Sequence, residues 1–323
     1  MMERVLDPLV LQRRRETNVS FVVGFAIMVA LLAVAPFVAY PVFLMQALCF
    51  ALFACAFNLL IGYVGLVSFG HALYFGWASY LAAYAAKTWH FQPELAILTG
   101  TATAAVLGVI AGGVAIRRQG IYFAMITLAL AQMMYFFALR APFTGGEDGI
   151  QSVPRGRLFG YFDLSNEMTM YVFVLVVVLA AFLLIYRIIN SPFGEVLKAI
   201  RENEQRTISL GYNTDRYKLV VFVLSATLAG LAGSLKALVF QLASLTDVHW
   251  TMSGDVLLMT LLGGLGTVFG PVVGAFAVIA MQNYLAPFGQ WVLVIQGVIF
   301  VVCVLVFRRG IIGELAHFLR VEL

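Results

Sequence analysis

Side chains able to do chemistry are sparse in this 323-residue chain, and their spacing argues against catalysis. Cys49, Cys55 and Cys303 lie in uncharged apolar runs, with no C-x-x-C and no metal-type spacing, so they read as small buried hydrophobes. No H-E-x-x-H, no G-x-S-x-G and no paired-carboxylate constellation occurs, which points away from an enzyme. A G-x-x-x-x-G-K-S/T phosphate loop is missing too, so the chain does not hold ATP by that route. What remains is a set of polar residues isolated on apolar runs: Asn58, Ser68, His71, Thr127, Gln132, Gln282 and Asn283. Taken singly, each reads as a hydrogen bond between helices. Taken together, they are the groups from which a polar route through an apolar body could be built.

The elements that carry these residues follow from composition. The chain is 62% hydrophobic and 11% charged, where a soluble domain carries about 25% charged residues. Soluble enzymes and nucleic-acid modules are excluded, and a polytopic membrane protein is the class that fits. No Asp, Glu, Lys or Arg occurs from Phe21 to Ala86 or from Val256 to Phe307. Shorter charge-free runs are Leu95 to Ile116, Gln119 to Leu139, Met168 to Tyr186 and Leu219 to Leu235. The first long run holds three crossings, broken near Tyr40-Pro41 and at Gly62 to Gly65. The last holds one full crossing near 287–307, preceded by a hairpin of two shorter helices. The expected fold is all-α, about eight full transmembrane helices plus a glycine-broken half-helix pair, with internal repeats expected from the matching breaks. No internal repeat is evident in the sequence itself. Arg13, Arg14 and Arg15 before an apolar stretch could suggest a cleaved leader, but the run continues well past Pro36, and a retained first helix is expected.

Orientation follows from Lys and Arg. The clusters Arg4 to Arg15, Arg117-Arg118, Arg187 to Lys218 and Arg308 to Arg320 hold most of the 20 basic residues. Placing them all in the cytoplasm leaves Lys87, Arg140, Arg155 and Arg157 outside, with Lys236 near a helix end. The chain then divides into a cytoplasmic N-terminal segment, 1–20, a transmembrane domain, 21–307, and a cytoplasmic tail, 308–323. Both termini are cytoplasmic, 190–217 is a cytoplasmic loop and 140–167 an outer loop with three basic against four acidic residues.

Two glycine-interrupted stretches stand out, one in each half: Gly62, Gly65 and Gly70, then Gly263, Gly264, Gly266 and Gly270. Interrupted backbone survives in lipid only where it is buried in protein or lines a wet cavity. Small residues for close packing would explain either stretch alone; the pair is the pattern of a transporter with repeats. Carriers driven by protons or sodium usually place carboxylates inside the membrane. Here every Asp and Glu sits in a loop or at a segment end, Glu94 and Asp255 being boundary residues. That disfavours an ion-coupled carrier working alone and suggests that another chain supplies energy. In the cytoplasmic loop, Ser191-Pro192 starts one short helix, Asn203 caps a second and Gly211 ends it. Val196, Leu197, Ile200, Ile208 and Leu210 give an apolar face that suits either the lipid headgroups or a partner.

Several blocks resemble one family. Gly194-Glu195-Val196-Leu197-Lys198-Ala199-Ile200-Arg201-Glu202-Asn203-Glu204, followed by Ser225 to Leu235, is similar to the permease subunits of branched-chain amino acid ABC transporters, the M-type permeases in particular. Asn58 to Ala72, Gly120 to Ala129, Thr144 to Ile150 and Gly263 to Ala275 resemble the same family in order. The resemblance implies a subunit of an ATP-driven importer in a bacterial inner membrane, with no cofactor of its own. It implies a second homologous permease, two cytoplasmic ATPase subunits that bind ATP and magnesium, and an extracytoplasmic solute-binding protein. It makes the loop around Glu195, Ala199, Arg201, Glu202, Asn203, Glu204 and Gly211 the segment that couples to the ATPase. Val196 and Leu197 depart from the two alanines of the general importer motif. The seven isolated polar residues become candidates for the translocation path.

Overall fold

Apolar runs bounded by proline and glycine fold into the expected helices in a computed structural model, which describes residues 8–289, 291–306 and 310–319. In order these are α1 (Pro8–Val34), α2 (Pro41–Val64), α3 (His71–Lys87), α4 (Pro93–Ala115), α5 (Ile121–Arg140), α6 (Glu167–Ile189), α7 (Pro192–Glu202), α8 (Glu204–Ser209), α9 (Thr214–Phe240), α10 (Trp250–Gly263), α11 (Gly270–Leu285), α12 (Trp291–Val306) and α13 (Gly310–Leu319). Five of them, α2, α4, α5, α6 and α9, are long and apolar enough to cross a membrane. The protein is an all-α polytopic membrane protein. Arg4, Arg308, Arg309 and Arg320, on which part of the charge argument rests, lie outside the described residues.

Starts and stops follow local chemistry. Proline opens α2, α4 and α7 at a position whose N–H would have no helical partner. The Asn166 side chain accepts from Met168 N at 2.9 Å to cap α6, with Glu167 in its first turn and Arg187 in its last, each favoured by the helix dipole. α2 is buried along almost its whole length and forms the axis of the bundle. α4, α5 and α6 bury one face and expose the other, as lipid-facing helices do.

Small residues bring α3, α4 and α9 into backbone contact. A Cβ on Gly233 would strike the Phe75 backbone, one on Gly100 the Ala78 carbonyl, and one on Gly230 the Ala104 methyl. With no hydrophobic drive between helices in lipid, such close approach supplies the dispersion that holds them.

The second half repeats this arrangement on the other partner. α3 and α4 pack on each other and on α9; α10 and α11 pack on each other and on α2. Both central helices end in a left-handed residue, Gly65 (φ +81°) and Gln241 (φ +54°). A stretch outside the α-helices, which after α9 includes a short 3-10 turn at Leu245–Asp247, then leads into a shorter helix. The repeat can now be found in the sequence: His71, Gly76 and Pro93 match His249, Gly254 and Pro271, with the same chain separation in all three pairs.

The helix foreseen as the last full crossing, α12, is described over Trp291–Val306, and residues 290 and 307–309 beside it lie outside the described residues. The hairpin turn lies beside α7 at one end of the bundle, as Arg201 next to Gly266 shows. One feature differs from the sequence-based expectations, for short strands occur: β1 (Ile150–Gln151) pairs antiparallel with β4 (Leu242–Ala243), and β2 (Arg157–Leu158) with β3 (Phe162–Asp163). Two-residue strands carry no periodic signal that a sequence could show.

Candidate functional site

The segment α7–α8 is built as its residues dictate. Ser191 Oγ accepts from Gly194 N at 3.4 Å, and Gly194 sits so close to the Ile189 carbonyl that no side chain would fit. Leu197 and Ile200 bury the inner face of α7, while Glu195 and Lys198 pair at 2.9 Å on its exposed face. Asn203 Oδ1 accepts from Arg206 N at 3.0 Å, capping α8. Gly211, with φ +89°, follows its end. A groove of about 510 Å³ runs along the segment, lined by Pro192, Glu195, Val196, Ala199, Leu210 and Tyr212. Ile208, Leu210 and Tyr212 are exposed.

The residues singled out for coupling divide by direction. Glu195 and Glu202 face outward, and Ala199 lines the groove. Glu204 turns inward: its carboxylate accepts from Lys218 Nζ, from Thr214 Oγ1 at 3.0 Å and from Gln119 Nε2 at 2.9 Å. It therefore ties α8 to the start of α9 and to the α4–α5 turn. Arg201 also reaches inward, donating from Nη1 to the Gly62 carbonyl.

The two glycine breaks meet at this end of the bundle. Asn58 donates from Nδ2 to the Thr267 carbonyl at 2.9 Å and accepts from Gly266 N at 3.0 Å. Gly62 and Gly266 are backbone to backbone, for a Cβ on Gly62 would lie 2.8 Å from Gly266 N. At the turn, Thr267 Oγ1 accepts from Gly270 N at 3.1 Å and donates to the Gly264 carbonyl at 2.8 Å. Gly263 and Gly270 touch through backbone, which closes the hairpin.

From Gly65 the chain climbs to mid-bundle before α3 begins. Ser68 Oγ accepts from Gly70 N at 3.3 Å, and Thr127 Oγ1 accepts from Phe69 N at 3.2 Å. His71 Nε2 lies 2.9 Å from Ser225 Oγ. Ser225 spends its single proton on the Ala56 carbonyl at 2.5 Å, so His71 must carry its proton on Nε2. Its Nδ1 is buried without a partner, and Phe57, Tyr74 and Phe222 enclose the ring edge to face.

Of the seven path candidates, Asn58, Ser68, His71 and Thr127 are thus buried and bonded around the first break. Gln132 and Gln282 are half-buried and Asn283 is exposed; these three do not join the cluster. Sequence reasoning missed Ser225, Ser253 and Thr267, whose hydroxyls mark nothing until their partners are known. It also left Lys236 unpartnered. Lys236 Nζ meets Asp247 Oδ1 at 2.8 Å and Oδ2 at 2.6 Å, both residues buried, and so holds the stretch before α10 against α9. Among the described residues, no group of three or more His, Cys, Asp and Glu is placed to hold a metal.

Residues 41–305 match the family described as branched-chain amino acid transport system / permease component. The high-affinity branched-chain amino acid transport system permease protein LivM of Escherichia coli (strain K12) is 25% identical over 283 residues, covering 79% of this chain and 65% of the relative. Its namesake from Salmonella typhimurium is 26% identical over the same shares. A probable branched-chain amino acid transport permease protein LivH from Methanocaldococcus jannaschii is 28% identical over 170 residues, 48% of this chain and 50% of the relative. The chain thus spans just under two thirds of the length of the two enterobacterial relatives. No solved structure is a significant match. With the family match running from the start of α2 almost to the end of α12, the chain belongs to the branched-chain amino acid transport system permease family.

Proposed function

We propose that the chain is the permease subunit of an ATP-driven importer that carries branched-chain amino acids, or a related small polar solute, into the cytoplasm. In this reading it pairs with a second homologous permease, receives solute from an extracytoplasmic binding protein and is driven by two ATPase subunits that bind ATP and magnesium. The observation that carries it is the α7–α8 segment. It is anchored to the body through Arg201 and Glu204, yet it leaves Glu195, Glu202, Ile208, Leu210 and a groove uncovered. A segment held firmly on one side and bare on the other suits a partner that pushes on it. The basic cluster around α7, with Arg117 and Arg118, supports a cytoplasmic position for this end. The two permease types among the relatives, LivM and LivH, support a permease pair.

The test is co-purification with co-expressed candidate ATPases, comparing wild type with Glu195→Arg plus Glu202→Arg. Both glutamates are exposed, whereas Glu204 anchors the loop and is left intact. Loss of the ATPases from the variant supports the reading. A folded wild type that binds none, but accumulates solute in liposomes under a sodium or proton gradient, replaces it with an ion-coupled carrier.

A further inference from the structure

An α-helix leaves its last carbonyls without helical partners, and both broken helices have theirs met by arginine. At the end of α2, Gly65 N and Leu66 N bond the carbonyls of Ile61 and Leu60 at 3.2 and 3.3 Å. The Gly62 carbonyl takes the guanidinium of Arg201 from α7. Three glycines shape the socket. A Cβ on Gly266 would lie 3.2 Å from Arg201 Nη1, one on Gly65 would lie 3.4 Å from Arg201 Cγ, and one on Gly62 would press on Gly266. At the end of α9, Arg155 from the 140–167 loop donates from Nε to the Leu238 carbonyl at 3.3 Å and from Nη2 to Val239 at 2.7 Å. The same loop continues onto the stretch after α9 through Val153 N to the Gln241 carbonyl at 3.0 Å and through the β1–β4 pair. A cation at a helix C-terminus is favoured by the dipole, and a guanidinium can bond more than one carbonyl at once.

We propose that Arg201 and Arg155 are paired positioning residues, each tying an external segment to the break that follows a central helix. Displacement of α7 is then delivered to residues 62–70 and 264–269 together, and displacement of the 140–167 loop to residues 241–249. Neither arginine is a contact for the solute. The proposal rests on the importer reading and specifies how force leaves α7.

The test uses the assembled complex in liposomes, reading solute moved per ATP hydrolysed and deuterium exchange with and without ATP. Arg201→Ala, compared with wild type in complexes matched for bound ATPase, is expected to move about tenfold less solute per ATP hydrolysed, the loss of one charged hydrogen bond. Arg201→Lys, whose ammonium still reaches a carbonyl, is expected to recover part of the ratio and serves if the alanine variant does not fold. In wild type, exchange at 62–70 and 264–269 changes together when ATP is added. Arg201→Ala removes that joint response, whereas Arg155→Ala removes the response at 241–249 and spares the other two. A wild-type ratio in Arg201→Ala, or independent responses of 62–70 and 264–269 in wild type, overturns the proposal alone. A wild type that binds no ATPase removes the importer reading and the proposal with it.

Discussion

The backbone amide of Ala72 donates to Ser253 Oγ at 2.9 Å, joining the first turn of α3 to the first turn of α10 across 181 residues of chain. Both atoms are buried, and each α-helix begins there. The two halves of the molecule are stitched at the points where their interrupted segments resume as helix. Ser253→Ala leaves the Ala72 N–H desolvated without an acceptor, at a cost of about 1–3 kcal/mol. A lowered unfolding temperature in detergent is the expected result, and unchanged melting would show that the amide finds another acceptor.

The Lys236–Asp247 pair offers a double-mutant cycle. Lys236→Met strands a buried carboxylate and Asp247→Leu a buried ammonium, each at about 3–5 kcal/mol, whereas removing both together comes close to neutral. Thermal unfolding and yield of the four forms measure it. A double variant as weak as the sum of the singles would mean that the pair has no mutual role.

Neighbouring acidic residues on α7–α8 are expected to behave in opposite ways. Glu204→Ala frees α8 from Lys218, Thr214 and Gln119 and leaves the buried Lys218 ammonium uncompensated. Limited proteolysis at 203–213 is expected to rise sharply in that variant. Glu202→Ala, exposed and without a partner among the described residues, is expected to cut at the wild-type rate.

Glycines separate by what surrounds them. Gly113 has nothing within 4 Å of a Cβ, so Gly113→Ala is expected to stabilise α4 by up to about 1 kcal/mol through helix propensity. Gly233→Ala forces a methyl into the Phe75 backbone and is expected to lower the melting temperature steeply. Comparable melting of the two variants would contradict the seam between α3 and α9.

Helix positions were legible in the sequence because proline, glycine and charge mark the ends of apolar runs, as at Pro41, Gly65 and Glu94. The caps on α7 and α8 were equally plain, since Ser191 and Asn203 act within three residues of their own position. Long-range pairing was not. Arg201 and Glu204 carry charge in a loop, which in a sequence looks like solvated surface, and only their distant partners, Gly62 and Lys218, turn them inward. The repeat escaped notice because its matches are scattered single residues, such as His71, Gly76 and Pro93 with His249, Gly254 and Pro271, and not a continuous block. Lys236 was visible as an oddity, but its partner Asp247 lies beyond a turn whose shape no local pattern announces.

The seam of α3, α4 and α9 has a mechanical consequence. Helices slide past one another by letting interdigitated side chains hop between rotamers, the small displacements of shear motion. Glycine has no side chain and alanine only a methyl, so a contact of Gly233 on Phe75 backbone or Gly230 on Ala104 has no rotamers to exchange. The three helices are therefore expected to move as one block. In the importer reading, motion would then be taken up at the stretches 65–70 and 241–249 that border it.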